Sequence, residues 1–213
     1  MPRRRLADPI VQQDYPAQER KALEDYTLSS SINRRIADAQ KPGGTPLDAD
    51  DKKYVKNLDN AISKSGWNTT ETNTDFVRGG GGICVGVPET MNFNSQQELA
   101  DYINNSIVGQ VEATNVGFTS ITRTPSVAKG FASGKKNAII MHYDRIEGGT
   151  RGAYVSGGKG KSAISVFGDG EDETLLERNI TTRAQRAWVG NDGYVHVSVH
   201  IRPDRSYFNP LKK

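Results

Sequence analysis

Apolar positions recur at helical spacing in the first part of the chain and at strand spacing in the later part. Leu23, Tyr26, Ile32 and Ile36 are spaced to face one core, so a helical unit is predicted from about Ala17, with a break around Ser29-Ser30-Ser31. Lys41-Pro42-Gly43-Gly44-Thr45-Pro46 ends that unit as a loop. From Asp48 to Ser65, Tyr54, Leu58 and Ile62 fall four apart, Val55 fills the same stripe, and Gly66 stops it. Asp48, Asp50 and Asp51 crowd the start of this helix, where the helix dipole favours acids. Ser95-x-x-Glu98 reads as a capping box before the apolar face of Leu99, Tyr102, Ile103 and Ile107, and Gly109 closes that helix.

The texture then changes. Phe76-Val77 opens a short strand that runs into Arg78 and four glycines, Gly79 to Gly82, and Ile83 to Val87 is a further short apolar run. From Gly117 onward the chain reads mostly as strands: Ala138 to Tyr143, then the shorter Thr174-Leu175-Leu176 and Ala187-Trp188-Val189. Tyr194 to Ile201 alternates, with Val195, Val197, Val199 and Ile201 on one face, and predicts a half-buried strand. Six glycines between Gly148 and Lys161 suggest a mobile loop. Residues 1–16, with Pro2, Pro9 and Pro16, read as a flexible lead to a single domain over 17–213. Helices first, then strands without crossover helices between them, favour an α+β fold with mostly antiparallel sheets.

Composition narrows the chemistry. The 213 residues suffice for one ordinary core, and no run approaches the roughly 20 apolar residues of a membrane span. The net charge of +3 is too small a bias to argue for nucleic acid. The start, Met1 to Asp8, carries charge with no apolar stretch behind it, so no signal peptide is expected. One cysteine, Cys84, excludes an internal disulfide framework and a multi-cysteine zinc site, and reads as a small core residue. His196 and His200 share a strand face without a third ligand at useful spacing, so no metal is expected. Gly79 to Gly82 lacks the Gly-Lys-Ser/Thr ending of a P-loop.

Three segments carry candidate chemistry. In Phe76-Val77-Arg78-Gly79 an arginine ends an apolar strand beside a residue without a side chain. Arg78 can fork onto a phosphate while Gly79 lets a ligand approach the backbone, although a surface arginine reads the same way. In Gly117-Phe118-Thr119-Ser120-Ile121-Thr122 a strand would set the hydroxyls of Ser120 and Thr122 on one face, as edge residues or as a polar rail. In Gly170-Glu171-Asp172-Glu173-Thr174-Leu175-Leu176 an extended chain would place Glu171 and Glu173 on one face, about 6–7 Å apart. Like charges that close suit a cationic ligand or a charge that develops in reaction; the alternative is a solvated acidic turn.

Arg, then Ser-x-Thr, then Glu-x-Glu, in that order on strand edges, resembles the R-S-E class of mono-ADP-ribosyltransferases found among bacterial toxins, effectors and phage enzymes. Phe118-Thr119-Ser120-Ile121-Thr122 is similar to the family's aromatic-x-Ser-Thr-Ser element, with Ile and Thr in the last two places. Glu171 to Leu176 is similar to its Glu-x-Glu-x-Leu-Leu element, and Phe131 stands where the family carries an aromatic that packs on nicotinamide. Ala22 to Thr27 with Ile32-Asn33, Leu58 to Lys64, Gly152 to Val155 and Gly193 to Ile201 extend the resemblance over roughly residues 20–203. Phe167 lies near the expected place of a loop aromatic.

The resemblance implies an ADP-ribosyltransferase fold: two small, mostly antiparallel sheets forming an NAD cleft, with N-terminal helices. It implies NAD as substrate, with no metal, and transfer of ADP-ribose to a protein side chain with release of nicotinamide. Glu173 would stabilise the cationic ribose, Ser120 would orient Glu173, and Arg78 would hold the diphosphate. Gly79, Ser120, Thr122 and Phe131 would complete the NAD site. Glu171 would face the acceptor, and Glu-x-Glu implies that the acceptor is arginine. Two other readings stay open, an NAD glycohydrolase and a non-catalytic NAD-binding module. The expected partners are NAD and a target protein, without nucleic acid or membrane, and the chain is expected to be a monomer. The expected place of action is the cytoplasm of a target or host cell, reached by phage injection or a secretion system.

Overall fold

The computed structural model describes residues 15–65, 71–72, 74–156, 164–165 and 170–204. Most of the expected lead, Trp67 to Thr70 and Phe167 lie outside them. The N-terminal helical unit divides where the serines stand, into α1 (Ala17–Leu28) and α2 (Ser31–Ala39), with Ser29 extended between them. Leu23, Tyr26, Ile32 and Ile36 are all buried. Helix α3 (Ala49–Lys64) begins at Asp48, whose carboxylate accepts from the Asp51 amide at 2.7 Å. Lys64 reaches back to the buried Glu19 at 2.6 Å and ties the end of α3 to the start of α1.

Strand pairing follows one path. In the order β3 (Glu112–Asn115), β8 (Ile180–Val189), β9 (Val195–Pro203), β5 (Ala138–Ile146) and β2 (Val77–Gly81), five strands form the larger part, with β1 (Glu71–Thr72) also on β5. The path continues through β4 (Thr119–Thr122), β7 (Glu173–Leu176) and β6 (Gly152–Tyr154). Among the described residues only β5 and β9 run parallel. The α+β expectation holds. The two expected sheets are joined here in one hydrogen-bonded path, but the β2–β4 junction carries a single register pair, Val77 with Thr122. Two parts meeting at so narrow a join can splay into a cleft.

Each part has its own cover. Helices α1 to α3 pack through Leu23, Ile32, Leu58 and Ile62 onto Phe118, Ala153 and Leu175 of the smaller part. Helix α4 (Gln96–Tyr102), which runs on as a π-helical turn over Ile103–Ile107, covers one face of the larger part with Leu99, Ile103 and Ile107. Ser95 caps α4 by accepting from the Glu98 amide at 3.1 Å, and the Glu98 carboxylate accepts in return from Asn94 N.

Three elements differ from the sequence expectation, and one apolar run left without an element takes its form in the structure. Ile83 to Val87 is largely a 3-10 turn (Gly82–Val85), stopped by Gly86 at φ +99°. After β4 the chain forms a helix, α5 (Pro125–Ala132), which Pro125 starts and whose Ala128 and Ala132 pack on Val77 and Ile140. The run of small residues hid its period. The short strand expected at Ala187–Val189 is the end of β8, whose earlier Thr181 and Thr182 are polar in type yet buried. The expected mobile loop holds β6, which pairs with β7.

Candidate active site

Arg78 on β2, Ser120 and Thr122 on β4, Phe131 on α5, Glu173 at the start of β7 and Glu171 two residues before it line a single cleft, together with Ile121 and Val127. The β4–β7 register sets Thr122 opposite Glu173, so Ser120, Thr122 and Glu173 share one sheet face. The N-terminal helices fix where β4 begins. Asn33 donates to the Phe118 carbonyl at 2.9 Å and accepts from the Phe118 amide at 2.8 Å, and its amide also donates to the Tyr26 hydroxyl at 2.8 Å. Gly117 is required beside it, since a Cβ there would lie 2.5 Å from Asn33 Oδ1.

Glu173 is 8% exposed and its backbone is held on both sides. Its amide donates to Ser156 Oγ at 2.8 Å, and its carbonyl accepts from Val155 N at 3.0 Å. Burial pushes its carboxyl above the ordinary range; the Ser120 hydrogen bond draws it back, neighbouring Glu171 raises it again, and Arg78 lowers it. Burial also raises the Glu171 carboxyl. Arg78 Nη1 donates to the Ser120 carbonyl at 2.7 Å. Burial works against the Arg78 charge, but the neighbouring Tyr143, Cys84, Tyr26 and Glu173 outweigh it, and the guanidinium pKa lies above the ordinary arginine value. Phe131 stands 53% exposed at the mouth of the cleft.

Three expectations change. Gly79 serves packing, not a ligand: a Cβ there would sit 1.7 Å from the Ala128 carbonyl oxygen, so the missing side chain lets α5 lie on β2. The Thr122 hydroxyl is committed within the protein. It donates to the Glu171 carbonyl and accepts from Thr124 N at 2.9 Å, which leaves Ser120 as the polar side chain of β4 toward a ligand. Glu171, Asp172 and Glu173 are not one extended stretch, because Asp172 sits at φ +42° and β7 starts only at Glu173. The two glutamates still reach the same cleft, brought there by a turn instead of by strand alternation.

Sequence reasoning named Tyr26 as a core position and, with Asn33, as part of the helical signature; it named Tyr143 only as the end of a strand, and it passed over Arg123. Arg123 follows β4 directly. Its Nε lies 3.1 Å from Asp75 Oδ1, its Nη1 3.4 Å from Asp172 Oδ1, and its guanidinium 4.5 Å over the Phe76 ring. No spacing rule points to such a residue. Among the described residues no cluster of three or more His, Cys, Asp or Glu is arranged to hold a metal ion.

A family model described as ADP-ribosyltransferase exoenzyme matches residues 9–197. The chain belongs to that family. No curated protein matches it by sequence. Solved structures similar to it include Plx2a, an ADP-ribosyltransferase toxin from Paenibacillus larvae (TM-score 0.66, 21% identity, covering 88% of this chain and 87% of that one). C3stau2 from S. aureus, solved with NAD, is similar at TM-score 0.60 and 16% identity, over 91% of this chain and 90% of that one. Vis, from Vibrio splendidus and solved in complex with agmatine, is similar at TM-score 0.57 and 19% identity, over 92% and 80%. This exoenzyme is a mono-ADP-ribosyltransferase, and NAD is its substrate.

Proposed function

We propose that this exoenzyme transfers ADP-ribose from NAD to an arginine side chain of a protein, with Glu173, Glu171, Ser120 and Arg78 as the working residues. The observation that carries this reading is the meeting of two carboxylates, Glu171 and Glu173, with Arg78 in one cleft. Arg78 holds the diphosphate, for which a partly buried, fork-shaped cation is suited. Phe131, already exposed at the mouth, covers the nicotinamide ring. The bond between nicotinamide N1 and ribose C1 breaks, and nicotinamide leaves neutral with the electron pair. Positive charge develops on the ribose, comparable to that of glycoside cleavage. Glu173, oriented by Ser120, stabilises that charge. A guanidine nitrogen of the acceptor attacks C1 and gives its proton to Glu171. A carboxylate suits a guanidinium because the pair is bidentate. Agmatine, bound by the similar Vis structure, carries that same guanidinium. The acceptor protein belongs to a recipient or host cell, which the enzyme enters by injection or secretion.

The test is Glu171→Gln, with nicotinamide release in water measured beside transfer of labelled ADP-ribose to agmatine. Transfer is expected to be lost, while hydrolysis stays within about tenfold because its barrier is carried by Glu173. Loss of both rates together would give Glu171 a part in bond breaking. Retention of transfer to agmatine would take the acceptor-facing role away from Glu171, and wild-type enzyme that labels lysate protein but not agmatine would remove arginine as the acceptor. Wild-type enzyme that releases nicotinamide but labels no protein in a lysate would be a glycohydrolase.

A further inference from the structure

The two glutamates are held by different means. Glu173 lies in the β4–β7 ladder and is bonded through Ser156 and Val155, so strand pairing fixes it. Glu171 lies before the strand, on the far side of Asp172, whose backbone is left-handed at φ +42°. A non-glycine residue adopts that conformation at a cost, although aspartate tolerates it better than most. Gly170, one residue earlier, has open space where a side chain would go. The turn carrying Glu171 therefore needs to be held from outside. Two ties do so: the Thr122 hydroxyl on the Glu171 carbonyl, and the Arg123 guanidinium on the Asp172 carboxylate.

We infer that Arg123 is a positioning residue that pins the Asp172 turn to the base of β2 and thereby sets Glu171 for the acceptor. Its side chain is only 15% exposed, and one planar group meets three partners at once. Nε takes Asp75, just ahead of β2; the face lies on Phe76; Nη1 takes Asp172. Asp75 and Phe76 lead into the strand that carries Arg78, so the same guanidinium spans the narrow β2–β4 junction and ties both sides of the cleft together. Two carboxylates share its charge, and the planar fork that serves both is a geometry lysine lacks. The inference rests on the acceptor-facing role proposed for Glu171. It adds that the balance between transfer and hydrolysis is controlled through a residue that touches neither NAD nor acceptor.

The experiment compares Arg123→Ala, Arg123→Lys, Asp172→Ala and the Arg123→Ala/Asp172→Ala double variant with wild type. Two readouts are compared: nicotinamide release without acceptor, and turnover and KM with agmatine. Arg123→Ala should lower turnover with agmatine by about tenfold or more, the scale expected when a reacting group is slightly misplaced. Hydrolysis should stay near the wild-type rate. Asp172→Ala should match Arg123→Ala, and the double variant should be no worse than either single change. Arg123→Lys should recover part of the lost transfer. Hydrolysis falling in step with transfer, in folded Arg123→Lys or Asp172→Ala protein, would make Arg123 a general structural residue and overturn the inference. Glu171→Gln separates this failure from that of the parent reading. If Glu171→Gln abolishes transfer and Arg123→Ala spares it, the tether is wrong; if Glu171→Gln itself spares transfer, the role given to Glu171 is wrong.

Discussion

The larger and smaller parts of the strand array are built by different means. In the larger part, β8 and β9 run ten and nine residues, and Val195, Val197, Val199 and Ile201 face an aliphatic core with Ile139 and Met141. Burial of that alternating face defines its register, since a slip of one residue would turn every apolar side chain outward. In the smaller part, β4, β6 and β7 have four, three and four residues, and all four of β7 are buried although two are Glu173 and Thr174. Strands so short are held from outside, by Asn33 on Phe118, Ser156 on Glu173 and Thr122 on Glu171. The part that carries both carboxylates is thus the part that depends most on individual polar contacts. Such contacts fix a site more closely than strand pairing alone, and each can be lost separately.

The largest effect is expected at the centre of the smaller part. Glu173→Gln should lower nicotinamide release on the order of 10²–10³-fold, the usual loss when a preorganised electrostatic partner is removed. A folded Glu173→Gln enzyme turning over near the wild-type rate would take the ribose-stabilising role away from this residue. Next come two substitutions chosen as a pair. Ile139 is fully buried in the larger part, and Ile139→Ala should cost about 2–5 kcal/mol of stability through the cavity it leaves. The rate per folded molecule should not change. Asn33→Ala orphans the Phe118 amide, at about 1–3 kcal/mol, and leaves the Phe118 carbonyl only the longer bond from the Tyr26 hydroxyl at 3.3 Å, and it should lower the rate as well because β4 loses its anchor. Denaturant unfolding paired with nicotinamide release at a temperature where both variants are folded makes the comparison. Equal rates in the two would mean that β4 does not need the helices to hold its place.

Arg78→Ala should have a smaller effect, on binding. Charged hydrogen bonds contribute about 1.5–3 kcal/mol, so the dissociation constant for NAD should rise about tenfold to a hundredfold. Calorimetric titration of NAD reads it, and an unchanged constant would leave Arg78 as a strut for the Ser120 carbonyl, which it already contacts.

What was legible in the sequence follows the same division. The β9 alternation, the α3 stripe and the break between α1 and α2 were readable because apolar burial writes a period into the chain. In the smaller part the residues of the cleft were identified by resemblance, and their geometry was not legible. The Glu-x-Glu stretch looked extended until Asp172 proved left-handed, because a single residue's φ leaves no trace in a hydrophobic pattern. Gly79 looked like room for a ligand because the helix that fills that room, α5, was itself hidden in a run of small residues. Arg123 was invisible for a related reason: its partners Asp75 and Asp172 are 48 and 49 residues away in sequence.

The smallest expected effect concerns stability and gives the contrast its sign. Glu173 is buried, and its carboxyl lies above the ordinary value of 4.5, chiefly through that burial. Below the ordinary value the group is protonated in both folded and unfolded chains, and its ionisation contributes nothing to the difference. As pH rises past it, the unfolded chain gives up the proton first, while the folded chain resists; stability therefore falls until the pH has passed the raised native value, and then levels off. Gln carries the same shape and does not ionise. Glu173→Gln should accordingly melt higher than wild type at neutral pH, and the gap should close as the pH is lowered through the carboxylate range. Thermal melts at several pH values without NAD make the measurement. A variant that melts lower than wild type at neutral pH would mean that Arg78 repays more than burial costs, and that the site is an ion pair at rest instead of a destabilised carboxylate held ready for the ribose cation.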